Sequence, residues 1–123
     1  MAKKVLICED NPINRVLMRD LLVFSGHEVI ESGDGRSCVE FAASDPPDLI
    51  VMDIQMPVMN GYEVMRILRR IPATSGIPII AITSFAMVGD REKAMEAGAD
   101  EYLSKPIDTR QFRELVDRWL KHE

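Results

Sequence analysis

Short, continuous apolar runs punctuate the chain, and each is followed by a segment with helical periodicity. Val5-Leu6-Ile7-Cys8, Leu49-Ile50-Val51-Met52 and Ile77-Pro78-Ile79-Ile80-Ala81-Ile82 are the strong runs; Glu28-Val29-Ile30 and Glu101-Tyr102-Leu103 are weaker. A strand with one wet face alternates apolar and polar residues, whereas an unbroken apolar run is covered on both faces. That geometry calls for parallel strands joined by helical crossovers.

The intervening segments carry helix start and stop signals. Asn11 caps a helix with Pro12 at its first position, Ile13, Leu17, Leu21 and Phe24 repeat along one face, and Gly26 ends it. A second helix fits Arg36 to Ala43, closed by Pro46-Pro47. Asn60 with Glu63 reads as a cap and its reciprocal partner before Val64, Ile67, Leu68 and Ile71. A fourth helix, Val88 to Ala97, is polar and weakly amphipathic and stops at Gly98. Asp108 caps the last, with Phe112, Leu115, Val116 and Trp119 as its apolar stripe. Five strand–helix units in 123 residues predict one domain, 1–123, a doubly wound α/β sandwich with five parallel strands and five helices.

Composition narrows the function. A hydrophobic content of 46% with 28% charged residues is that of an ordinary soluble globular protein, and the net charge of −5 excludes the basic surface that nucleic acid requires. No stretch reaches membrane-spanning length, and the opening Met1-Ala2-Lys3-Lys4 leads into a run too short for a signal peptide, so a cytoplasmic protein is expected. Cys8 and Cys38 stand alone, with no metal-binding spacing and no indication of a disulfide.

Parallel strands place their carboxyl ends on one edge, and ligands bind open α/β sheets there, where strand order reverses. The first strand ends in Glu9-Asp10, the third in Asp53 and the fourth in Thr83; Lys105 follows the fifth. In the flavodoxin-like order 2-1-3-4-5, Glu9, Asp10 and Asp53 share one pocket. Two unit charges about 4 Å apart repel by roughly 4 kcal/mol at an effective dielectric near 20. Such a pocket persists by holding a cation, and oxygen ligands without His or Cys select a hard ion, Mg²⁺ in preference to Ca²⁺ where few protein ligands leave positions open. A carboxylate beside Mg²⁺ can attack phosphorus to give an acyl phosphate, with Lys105 supplying counter-charge and the Thr83 hydroxyl a hydrogen bond. Any one of these acidic residues alone reads as a solvated loop position; their joint placement with Thr83 and Lys105 reverses that. His27 and His122 lie away from this edge, so a phosphoryl-donating histidine comes from another molecule.

These residues resemble the signature of the CheY-like response-regulator receiver family of two-component signalling. The resemblance runs through Val5 to Asn11, Asp48 to Pro57, Asn60-Gly61, Ile82-Thr83-Ser84 and Gly98 to Pro106, essentially the whole chain. It implies that Asp53 is the phosphoacceptor, and that Glu9, Asp10, Asp53 and the Gln55 backbone carbonyl hold Mg²⁺. Thr83 and Tyr102 match the coupled switch pair, Gln55 and Ser84 the positions that tune dephosphorylation, and Lys105-Pro106 a peptide bond usually cis in the family. Phe85-Ala86-Met87 with Gly89-Asp90 looks like single-domain cell-cycle regulators of the DivK type.

The expected function is that of a single-domain response regulator in a phosphorelay. It would be a monomer that accepts a phosphoryl group from a sensor histidine kinase or histidine phosphotransferase. It would catalyse only its own phosphorylation and dephosphorylation, and signal to a protein target through the face made by the fourth helix, fifth strand and last helix. The alternative is a receiver excised from a hybrid histidine kinase. A phosphohydrolase with an aspartyl-phosphate intermediate would place a general acid two residues after the nucleophile, where this chain has Gln55. A phosphorylation-independent interaction module is opposed by the intact Glu9, Asp10, Asp53, Thr83 and Lys105.

Overall fold

The computed structural model describes residues 3–84 and 87–121. Strands and helices alternate throughout: β1 (Lys4–Cys8), α1 (Pro12–Phe24), β2 (Glu28–Ser32), α2 (Gly35–Ser44), β3 (Leu49–Asp53), α3 (Gly61–Arg70), β4 (Ile79–Thr83), α4 (Asp90–Ala97), β5 (Glu101–Ser104) and α5 (Thr109–Lys121). All strand pairs are parallel and the sheet order is β2-β1-β3-β4-β5. The reversal falls between β1 and β3, the register pairing Cys8 with Met52 and so bringing Glu9 and Asp53 to one edge.

Strand alternation divides the core in two. Leu6, Ile50, Met52, Ile79 and Ala81 face α2, α3 and α4, meeting Ala42, Val64, Met65, Leu68 and Ala94. Val5, Ile7, Leu49, Val51, Ile80 and Ile82 face α1 and α5, meeting Met18, Leu22, Phe112, Leu115 and Val116. The three central strands are buried on both faces, the physical reason for their unbroken apolar runs.

The side-chain N-caps expected at Asn11, Asn60 and Asp108 are formed, without the reciprocal bond from Asn60 N–H to the Glu63 carboxylate among the described residues. Asn11 Oδ1 accepts from the Ile13 and Asn14 amides, Asn60 Oδ1 from Glu63 N, and Asp108 Oδ1 from Gln111 N. Gly26, at φ 91°, takes the left-handed conformation that closes α1, and Gly98 does the same for α4 at φ 127°. The α4 helix begins at Asp90, two residues later than its sequence pattern indicated. The motif residues Phe85 and Ala86, and His122, lie outside the described residues.

Two expectations are corrected. The inward face of α1 is Met18 and Leu22, with Leu21 only half-buried; Ile13 is 79% and Phe24 87% exposed. This helix is apolar on more than one side, so periodicity alone did not decide which side turns inward. Cys8 and Cys38, expected as separate thiols, are joined as a disulfide across a Cα–Cα distance of 6.0 Å. Cys8 belongs to the strand face that meets α2, and Cys38 is on the buried side of α2 four residues before Ala42. Spacing in the chain gave no hint of the pairing, because α2 packing against β1 creates it.

Candidate functional site at the carboxyl edge of the sheet

Glu9, Asp53 and Thr83 are buried polar residues at the ends of β1, β3 and β4, while Asp10 is exposed in the loop after β1. One carboxylate oxygen each from Glu9, Asp10 and Asp53 lies within 4.8 Å of the others. Lys105, just beyond β5, sends Nζ to 2.8 Å from Glu9 Oε1 and 3.3 Å from Asp53 Oδ2. The chain reverses there through a cis Lys105–Pro106 bond, and Lys105 N donates to Thr83 O.

Burial pushes the Asp53 carboxyl up to about 7, Glu9 adds to the rise, and Lys105 opposes it. Burial alone would lower Lys105, but the Glu9 and Asp53 carboxylates outweigh it and raise the ammonium above its ordinary value. Asp53 is therefore a buried acid whose ionisation depends on nearby positive charge. Its Oδ1 accepts the Gln55 backbone N–H at 3.1 Å.

Local sequence explains how these groups are held. The Asn11 amide donates to Glu9 Oε2, and Glu9 N to Ser32 O, so the acid is oriented by its own loop and by β2. Gly61 opens α3 directly under the site, its amide donating to Ile54 O. A Cβ there would lie 2.7 Å from both Asp53 O and Ile54 Cα, backbone atoms that cannot turn aside. Gly61→Ala is expected to destabilise the fold by about 1–3 kcal/mol and to displace the end of β3. Urea denaturation checks this, and a midpoint equal to that of the parent chain would contradict it.

The structure brings Glu9, Asp10, Asp53, Gln55, Thr83, Ser84 and Lys105 to this edge. Tyr102 lies a little away on β5, half-buried against the α3–α4 side of the core, its hydroxyl buried with no partner among the described residues. Two features went unrecognised in the sequence. Arg15 Nη1 donates to Glu9 O at 2.9 Å, and its Nε lies 3.4 Å from Glu31, tying the β1 and β2 ends together. A charged residue three and seven positions before Met18 and Leu22 lies on their helix face, a signal hidden by the wrong choice of inward stripe. The Gln55 side chain also bridges to Thr83 and Ser84, which no spacing rule predicts.

The receiver-domain profile matches residues 5–117 of this chain. The chain belongs to the response regulator receiver family. It is 42% identical over 120 residues to the polar-differentiation response regulator DivK of Brucella ovis, covering 98% of each chain. Among solved structures it is similar to the receiver domain of sensor histidine kinase PA1611 from Pseudomonas aeruginosa. That comparison gives a TM-score of 0.91 and 34% identity over 98% of this chain and 99% of the other. The PA1611 receiver carries a magnesium ion coordinated in its active-site cleft. The chemotaxis protein CheY4 of Vibrio cholerae superposes with a TM-score of 0.90 at 28% identity, over 98% and 100% of the two chains. The chain is thus a receiver of two-component signalling, a family of switches phosphorylated on aspartate whose partners are histidine kinases or phosphotransferases. Among the described residues no helix is long and apolar enough to cross a membrane.

Proposed function

We propose that Asp53 is the phosphoacceptor of this receiver and that residues 1–123 act as one phosphorelay switch. The observation that carries the reading is the Asp53 carboxylate, buried and paired with Lys105 beside Glu9 and Asp10. In the transfer, an Asp53 oxygen attacks phosphorus and the P–N bond of a partner's phosphohistidine breaks. The electron pair of that bond stays on the imidazole nitrogen. Lys105 balances charge on the phosphoryl oxygens, and the buried carboxylate is kept from bulk water. Hydrolysis of the acyl phosphate by water restores Asp53, so the chain catalyses only its own phosphorylation and dephosphorylation.

The donor set at this edge is oxygen alone and carries excess negative charge, which fits a hard divalent cation. Glu9, Asp10, Asp53 and the Gln55 carbonyl would hold Mg²⁺. When bound, the ion neutralises charge on the acidic cluster and on phosphoryl oxygens.

His27 precedes β2 and so sits at the opposite, amino edge of the sheet, which leaves the donor histidine to a partner. Ile13 and Leu17, at the site end of α1, expose apolar surface beside Asp10 and support docking of a sensor histidine kinase or phosphotransferase there. Output to a protein target is assigned to the α4-β5-α5 face of a cytoplasmic monomer that binds no nucleic acid. Likeness to the PA1611 receiver favours the second reading, a receiver working within a hybrid histidine kinase; the site chemistry is the same in both.

Signal transmission supplies the test. A phosphoryl group on Asp53 draws the Thr83 hydroxyl toward it, making room for the Tyr102 ring to shift. The α4 helix packs only Ala94 and Ala97 into the core, which leaves it weakly anchored. Thr83→Ala is expected still to take up phosphate, since Asp53 and Lys105 remain, and to transmit it poorly. Amide NMR spectra with and without beryllofluoride check this. Parent shifts should extend through residues 87 to 110 and contract in the variant; parent shifts confined to the loops around Asp53 would contradict the route.

A further inference from the structure

The side chain of Gln55 makes two hydrogen bonds to the end of β4. Its Nε2 donates to Thr83 Oγ1 at 2.7 Å, and its Oε1 accepts the Ser84 backbone N–H at 2.9 Å. Its own backbone N–H donates to Asp53 Oδ1 at 3.1 Å. One residue thus links the proposed phosphoacceptor to both polar groups at the tip of the neighbouring strand, and does so from a half-buried position.

The polarity of these contacts matters. Oε1 is a neutral acceptor seated on an N–H donor, an arrangement that a phosphoryl oxygen on Asp53 would reproduce with greater strength, because it is charged. Thr83 Oγ1 meanwhile accepts from Gln55 Nε2, so rotation of the hydroxyl toward Asp53 breaks that hydrogen bond. We propose that Gln55 is a positioning residue whose side-chain amide holds Thr83 and Ser84 in the unphosphorylated arrangement and competes with the phosphoryl group for the Ser84 amide. The proposal rests on the phosphoacceptor reading of Asp53. It adds that displacing one side chain sets how much phosphorylation is needed to move the switch.

The assignment makes opposite predictions for two substitutions of similar length. Gln55→Met fills the same space without either hydrogen bond. It should release the Ser84 amide in the unmodified protein and remove the competitor, tightening beryllofluoride binding. Gln55→Glu keeps the acceptor for Ser84 and so should keep its amide signal near the parent position, while adding negative charge beside Asp53 and weakening beryllofluoride.

The experiment is a beryllofluoride titration of the full chain in Mg²⁺, followed by amide NMR, with melting temperatures recorded for each variant. Gln55→Met is expected to bind about three- to tenfold more tightly than the parent, the factor for one competing neutral hydrogen bond at the Ser84 amide. Its Ser84 amide should move upfield before any beryllofluoride is added. A purely structural role for Gln55 would lower the melting temperature and loosen binding in both variants, and that result overturns the proposal. Equal affinity for the parent and Gln55→Met overturns it too, wherever the Ser84 signal lies. If the parent binds no beryllofluoride at all, the phosphoacceptor reading falls and the role of Gln55 falls with it.

Discussion

Lys105→Ala is expected to slow phosphoryl uptake from acetyl phosphate by about a hundredfold or more, the usual cost of removing one fixed charge-stabilising group from a phosphoryl or acyl transfer site. Lys105 Nζ lies between Glu9 Oε1 and Asp53 Oδ2, at 2.8 and 3.3 Å, and is the cation that faces both buried carboxylates among the contacts at this edge. Its loss leaves two acids together and, on the proposed reading, withdraws the group that would meet the incoming phosphoryl oxygens. Lys105→Arg keeps the charge but not the compact shape, and should recover only part of the rate. Initial rates of mass gain measure the effect. A variant within threefold of the parent would remove Lys105 from the proposed role.

The second large effect concerns Mg²⁺ and pH. The Asp53 carboxyl, pushed up to about 7 by burial and by Glu9, lies above its unfolded value. Such a group contributes stability that is complete below the unfolded pKa, near 4, and that is lost as pH rises through the folded value. In EDTA, therefore, the melting temperature should fall between about pH 5 and pH 8, by on the order of 5 °C. Asp53→Asn should lose that slope. Millimolar Mg²⁺, by binding the ionised carboxylates of the native state as proposed, should reverse the fall at pH 8. Asp10→Asn, which keeps an oxygen but loses the negative charge, should need at least about tenfold more Mg²⁺ for the same rise. Calorimetric scans at several pH values decide this, and a parent protein equally stable at pH 5 and 8 in EDTA and indifferent to Mg²⁺ would contradict it.

Much of the fold was legible because the deciding residues act locally. The unbroken runs of β1, β3 and β4 announce strands buried on both faces, and Asn11-Pro12, Asn60 and Gly98 mark helix ends through bonds to neighbours only a few residues away. The convergence of Glu9, Asp53, Thr83 and Lys105 followed from topology, since parallel strands carry their carboxyl ends to one edge. What could not be read depends on choices made between elements. Periodicity in α1 allowed more than one inward face, and contact with β1 and β2 selected Met18 and Leu22, turning Arg15 toward Glu9. The Cys8–Cys38 pairing arises where α2 crosses the end of β1. The Gln55 bridge depends on a rotamer that reaches across from the loop after β3 to the end of β4, 28 and 29 residues along the chain.

The central claim is that Asp53 carries the phosphoryl group, and intact mass followed by peptide mapping tests it most directly. The parent protein in Mg²⁺ and acetyl phosphate should gain a single phosphoryl group, labile to hydroxylamine as an acyl phosphate, on the peptide containing Asp53. Asp53→Asn should gain none, because an amide oxygen is a poor nucleophile. An undiminished mass gain in Asp53→Asn, or a parent adduct mapped to another residue, would contradict the account.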